Sequence, residues 1–105
     1  MTERTRPPAR RASTNFSFEM QNGLRYTATV SRFPDGRISE IFLSNAKSGS
    51  DSDASAKDSA VVCSLALQHG VSLETIRHAL LRDPPGVASS PLGVALDKVA
   101  EEPTP

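Results

Sequence analysis

Four groups of residues have types and spacings that could support chemistry. Lys47-Ser48-Gly49-Ser50 stands just ahead of a helical pattern, where the free N–H groups of a helix N-terminus can receive a phosphate. The P-loop spacing G-x-x-x-x-G-K-[ST] is absent, and Asp51 and Asp53 would repel the anion. Asp51-Ser52-Asp53-Ala54-Ser55 resembles the opening of a calcium loop, but the sixth position is Ala56 where a glycine is needed. The twelfth is Val62 where a bidentate glutamate is needed, so EF-hand calcium binding is rejected. Cys63, His69 and His78 are the available soft or borderline metal ligands, without the tight spacing of a zinc site. Serines, histidines and aspartates are all present, yet no G-x-S-x-G elbow organises them for acyl transfer. Residue chemistry alone therefore specifies no catalytic, cofactor or metal site.

The chain of 105 residues is long enough for one domain. With 37% apolar residues, 5% aromatics and no Trp, its core must be small and built from Val, Ile, Leu, Ala and Phe. Twelve basic and twelve acidic residues cancel, which argues against a domain-wide field for nucleic acid or anionic membrane. The charge is unevenly placed. Arg4, Arg6, Arg10 and Arg11 against Glu3 give the first thirteen residues +3, leaving −3 for the rest. A single cysteine excludes an intrachain disulfide. No apolar segment follows the N-terminal arginines as in a signal peptide, and no run approaches the ~20 residues of a membrane helix. The expectation is a cytoplasmic chain without a membrane partner.

Residues 1–13, with two prolines and little to bury, read as a disordered basic arm whose arginines are candidates for phosphate contact. Alternating Phe16, Phe18 and Met20 predict a first strand. Asn22-Gly23 supplies a tight turn, and Leu24, Tyr26, Ala28 and Val30 share one face of a second strand. Phe33-Pro34-Asp35-Gly36 is a second turn, and Arg37–Ser44 a third strand. Its centre, Ile41-Phe42-Leu43, is apolar on both faces, which predicts the middle position in the sheet. Turns this short make an antiparallel meander.

After the Asn45–Ser50 loop, Ser50, Asp51 or Ser52 can cap a helix whose apolar stripe broadens over Val61, Val62, Leu65 and Ala66. Cys63 lies in that apolar run and reads as a small buried residue, and Gly70 is the stop signal. Ser72 caps a second helix with Leu73, Ile76 and Leu80 on one face. Arg77 and Arg82 fall toward its C-terminal part, before Asp83-Pro84-Pro85-Gly86 ends it. Ser90-Pro91 opens a third helix with Leu92, Ala95, Leu96 and Val99 at i, i+3, i+4, i+7. The prediction is an α+β domain over residues 14–101 and a frayed tail over 102–105. Its order is β-β-β-α-α-α, a three-stranded antiparallel meander followed by three helices packed on one face.

The stretch Gly49–Asp97 resembles the TSCPD domain, found at the C-terminus of adenosylcobalamin-dependent (class II) ribonucleotide reductases and in short stand-alone bacterial proteins. The matching residues are Gly49-Ser50, Ser64-Leu65-Ala66-Leu67-Gln68-His69-Gly70-Val71 and Ser72-Leu73-Glu74-Thr75-Ile76. Tyr26–Val30, Asp35-Gly36-Arg37 and Glu40-Ile41-Phe42 resemble the family's sheet, so the likeness covers about residues 15–100. The naming motif Thr-Ser-Cys-Pro-Asp departs here to Ala88-Ser89-Ser90-Pro91-Leu92, with Ser90 replacing the cysteine and Leu92 the aspartate. A redox or metal role for that cysteine is thus unsupported, while Ser90-Pro91 keeps what helix capping needs.

The resemblance implies a link to ribonucleoside-diphosphate reductase and deoxyribonucleotide synthesis. The reductase's catalytic barrel needs several cysteines, and this chain has one. The expectation is a non-catalytic accessory or interaction module binding no cofactor itself, adenosylcobalamin entering only by family association. Its expected partner is a ribonucleotide reductase or a second copy, docked through the Asn45–Asp53 loop and the adjoining helix face, and the residues assigned to a partner or anion contact are Lys47, Ser48, Gly49, Ser50, Asp51 and Asp53. The alternative is a small nucleic-acid or nucleotide binder using the arginine arm, with Arg25, Arg32 and Arg37 on the sheet.

Overall fold

A computed structural model describes residues 3–9, 12–47 and 49–101. Strands β1 (Ser13–Glu19), β2 (Arg25–Arg32) and β3 (Ile38–Asn45) form an antiparallel sheet in that spatial order. Both hairpins use one device. Asn22 Oδ1 accepts from Leu24 N and Asp35 Oδ1 from Arg37 N, each at 3.0 Å. Gly23 and Gly36 adopt φ of 85° and 95°, the left-handed geometry that bends the chain back into the next strand. The register runs from Ser13↔Ser31 to Glu19↔Arg25, and from Tyr26↔Asn45 to Val30↔Ile41, with a bulge at Ser31/Arg32.

β3 is an edge strand, not the middle one; consecutive hairpins place β2 in the centre. The apolar run at its heart serves two surfaces. Ile41 and Leu43 are buried under a helix, while Phe42 lies 49% exposed on the opposite face.

That helix is α1 (Asp51–Gln68), capped by Ser50, whose Oγ accepts from Asp53 N at 3.1 Å. At its end Gly70 N donates to Leu67 O and Val71 N to Ala66 O, the paired bonds of a Schellman stop. Its buried face is not the expected stripe. Asp53, Ala56, Ala60, Cys63, Ser64, Leu67 and Gln68 face inward, while Val61, Val62 and Leu65 are 52%, 67% and 40% exposed. The reason lies in the edge of β3, where the backbone groups of Ser39, Ile41 and Asn45 point away from β2. Ser64 Oγ accepts from Ile41 N at 2.9 Å and donates to Ile41 O at 3.0 Å. Gln68 Nε2 donates to Ser39 O at 3.1 Å, and Asp53 Oδ1 accepts from Asn45 N at 2.9 Å. Unsatisfied buried backbone groups would cost more than the exposed valines lose, so the polar residues fix the helix's rotation. The small side chains between them let the helix approach closely.

α2 (Leu73–Ala79) is capped by Ser72 and packs Leu73 and Ile76 against the core as expected. It stops earlier than predicted, because Leu80 takes ψ 150°. Arg82, expected on this helix, lies in β4 (Arg82–Asp83), which pairs with β5 (Val87–Ala88) around Pro84-Pro85-Gly86. α3 (Pro91–Glu101) buries Leu92, Ala95, Leu96 and Val99, as its spacing predicts. A Cβ on Gly93 would come within 3.0 Å of the Ala88 Cβ, so glycine lets the first turn of α3 rest on the small hairpin. Asp97 on α3 joins these pieces. Arg82 donates to it through both Nη atoms at 2.8 Å, and Arg77 through Nε at 2.9 Å. All three helices lie on one side of the three-stranded sheet, the side that holds Tyr26, Ala28, Val30, Ile41 and Leu43.

Of the segment expected to be a disordered arm, residues 3–9 are described. Thr5 N donates to Gln68 O at 2.7 Å, and Arg4 Nε to Gln68 Oε1 at 2.6 Å. The strand that follows begins at Ser13, and residues 102–105 lie outside the described residues.

Replacing Ser64 by alanine strands both backbone groups of Ile41 and is expected to cost ~1–3 kcal/mol in urea unfolding. Val62→Ala on the outward face is expected to stay within about 0.5 kcal/mol. The reverse order would mean that α1 is rotated the other way.

Candidate functional site

The loop singled out by its lysine, glycine and aspartates closes on itself. Asn45 Oδ1 accepts from Lys47 N at 2.8 Å, and Ser50 Oγ donates to Lys47 O at 2.9 Å. Asp53, 3% exposed, sits under the loop: Oδ1 takes Asn45 N, while Oδ2 takes Gly49 N at 3.1 Å and pairs with Lys57 Nζ at 2.9 Å. The hydrogen bond from Asn45 N, then those from Lys57 and Gly49 N, hold its carboxyl down to about 2. Two of the N–H groups that a phosphate would use are therefore already occupied, Asp53 N by Ser50 Oγ and Gly49 N by Asp53 Oδ2. Lys47 and Asp51 remain at the surface, and Ser48 lies outside the described residues.

The arginines do not converge. Arg25 opens β2 opposite Glu19, whereas Arg32 ends the same strand and donates to Gly36 O at 2.7 Å. Arg37 pairs with Asp35 at 2.8 Å and lies 5.0 Å from the centroid of the Phe33 ring. Arg4 is bound to Gln68, Arg6 is exposed, and Arg10 and Arg11 lie outside the described residues. Arg32 and Arg37 do line a cavity of ≈270 Å³ with Leu67, Gly70 and Leu73.

Among the described residues no three His, Cys, Asp or Glu side chains are grouped to hold a metal. Cys63 is buried, and burial pushes its thiol up to about 11, far from a reactive thiolate. His69 stands at the C-cap of α1, and His78 is largely exposed, 3.5 Å from Glu74. At the place of the family's cysteine, Ser90 Oγ accepts from Gly93 N at 3.1 Å and Ser90 O from Val94 N, the work of an N-cap. Surface cavities of ≈270, 380 and 330 Å³ lie beside the β2–β3 turn, between β3 and α1, and between the end of β1 and the small hairpin.

What sequence reasoning missed is a surface. Val61, Val62 and Leu65 stand together on the outer side of α1, and Val61 joins Phe42, Thr27, Thr29, Leu43, Ser44 and Lys57 around the ≈380 Å³ cavity. The signal was available: Asp53, Ser64 and Gln68, at i, i+11 and i+15, share one helical face. That polar face competed with the valine face for the interior.

Two outcomes follow from the site's titrating groups. Asp53 and Asp97 both have folded values of about 2 against 3.8, Asp97 held down by Arg82 and then Arg77. Their stabilisation is complete above pH 3.8 and is lost as pH falls through about 2. Thermal unfolding across this window is expected to show a shallower acid loss for Asp53→Asn than for wild type, from a lower Tm at neutral pH. Cys63 is expected to resist iodoacetamide in the native protein and to react once urea unfolds it, read by mass spectrometry.

The TSCPD domain model matches residues 3–95, a span holding the whole sheet, α1, α2, the small hairpin and the start of α3. Comparison with curated proteins and with solved structures found no match. By the extent of the family match, the chain belongs to the TSCPD domain family.

Proposed function

We propose that this chain is a non-catalytic accessory module of deoxyribonucleotide synthesis, acting in the cytoplasm by docking on a ribonucleotide reductase. The observation that carries this reading is the outward apolar face of α1 with Phe42 beside it. Four large apolar side chains grouped at the surface of so small a domain exceed what scattered surface exposure requires, and such patches mark protein contacts. The side chains able to do chemistry support the same reading. Asp53 serves the loop, Ser90 caps a helix, and Cys63 is buried. The family's association with ribonucleotide reductases supplies the class of partner. Of the expected docking surface, the Asn45–Asp53 loop and the adjoining helix face, the helix carries the apolar groups, while Asn45, Ser50 and Asp53 of the loop bond within it. The nucleic-acid alternative draws no support from Arg25, at the opposite end of β2 from the other two, or from Arg32 and Arg37, whose guanidinium groups are engaged by Gly36 O and Asp35.

A tagged chain is expected to co-purify a ribonucleotide reductase from its native cells. A Val62→Asp/Leu65→Asp variant is expected to lose that partner at least tenfold while keeping its helical circular dichroism. Recovery of no reductase by the wild-type chain, or equal recovery by the variant, would overturn the proposal.

A further inference from the structure

The two edges of the sheet are treated differently. β3 is closed by Asp53, Ser64 and Gln68, but among the described residues β1 has no strand or helix hydrogen-bonded to its outer side. Which groups are left follows from the alternation of antiparallel strands. Ser39, Ile41 and Asn45 turn their backbone groups toward α1, so Phe42 and Ser44 bond to Thr29 and Thr27. Tyr26, Ala28 and Val30 must then bond to Phe18, Phe16 and Thr14, which leaves Ser13, Asn15, Ser17 and Glu19 with outward N–H and C=O groups. Such an edge templates another strand unless proline, lysine, a bulge or a covering element blunts it. β1 has neither proline nor lysine, and its pairing with β2 is regular over all seven residues.

We propose that β1 pairs antiparallel with β1 of a second copy, joining two sheets into one of six strands. Self-pairing fits this strand in three ways. With Ser13 opposite Glu19 of the other copy, the strands overlap over their full length, and every outward-pointing residue meets another: Asn15 with Ser17, Ser17 with Asn15. In that register the two-fold axis passes beside Phe16, which is only partly buried at the margin of the core, and its symmetry mate completes its cover. Charge does not oppose it: Glu19, the strand's one charged residue, meets Ser13 of the other copy, so no like charges are brought face to face. The contact is isologous and closes on itself, so it ends at a dimer. It lies across the sheet from the outer face of α1, and both surfaces can be occupied together.

Sedimentation or light scattering of the full chain is expected to give twice the 11.2 kDa chain mass. Asn15→Pro removes one outward N–H and leaves the backbone ladder to β2 intact, giving up only the exposed Thr29 Oγ1–Asn15 Oδ1 bond, and is expected to yield a folded monomer, as proline is tolerated at an edge. Ser17→Lys, which leaves the backbone unrestricted, is expected to raise the dimer dissociation constant at least tenfold at low salt. Val62→Asp on α1 is expected to leave the dimer intact. A wild-type chain that stays monomeric at every soluble concentration would overturn the proposal. So would a dimer that survives both β1 changes or dissociates on Val62→Asp.

Discussion

The contact between α1 and the outer edge of β3 governs the rest of the molecule. A three-stranded meander carries two rows of unpaired backbone groups, and burying one row is tolerable only if each group is satisfied. Asp53, Ser64 and Gln68 satisfy four of them from one face of a single helix. Because these partners must point at β3, the helix cannot also turn its valines inward. The small core, the alanine-lined seam against the sheet and the apolar outer surface all follow from that constraint.

The helices away from this seam are held by other means. α2 has no fully buried residue and leans on the core through Leu73, Ile76 and Leu80. Asp97 gathers Arg77 of α2 and Arg82 of the small hairpin onto α3, so one carboxylate sets the arrangement of three elements. Bidentate geometry with Arg82 gives this junction directional definition that apolar contact alone would lack.

Local chemistry made much of the fold readable. The Asn-Gly and Asp-Gly turns, the serine caps at Ser50, Ser72 and Ser90 and the stop at Gly70 depend on residues within a few positions of one another, and each stands where the pattern puts it. The 3.6-residue spacing of α3 was equally plain, because only one of its faces is apolar. α1 was not legible in this way. It carries apolar residues on one flank and alanines with three buried polar residues on the other, and only the presence of a strand edge decides between them. The same holds for Ile41-Phe42-Leu43, whose apolar run signals two separate surfaces rather than a central strand. For the site, Asp53 looked available because its backbone partners, Asn45 N and Gly49 N, are not visible in composition or spacing. Arg82 looked helical because Leu80, where the helix stops, offers no breaker.

Closure of the β3 edge has a kinetic side. Its three anchors join residues 8, 23 and 29 positions apart in the chain, in order from the loop outward. Loop closures this short carry small entropic costs, so the helix can zip along the strand as soon as both exist. During synthesis the sheet emerges first and α1 directly after it. The edge of β3 can therefore be shielded from intermolecular pairing before α2 and α3 have packed, leaving the β1 side of the sheet as the open one.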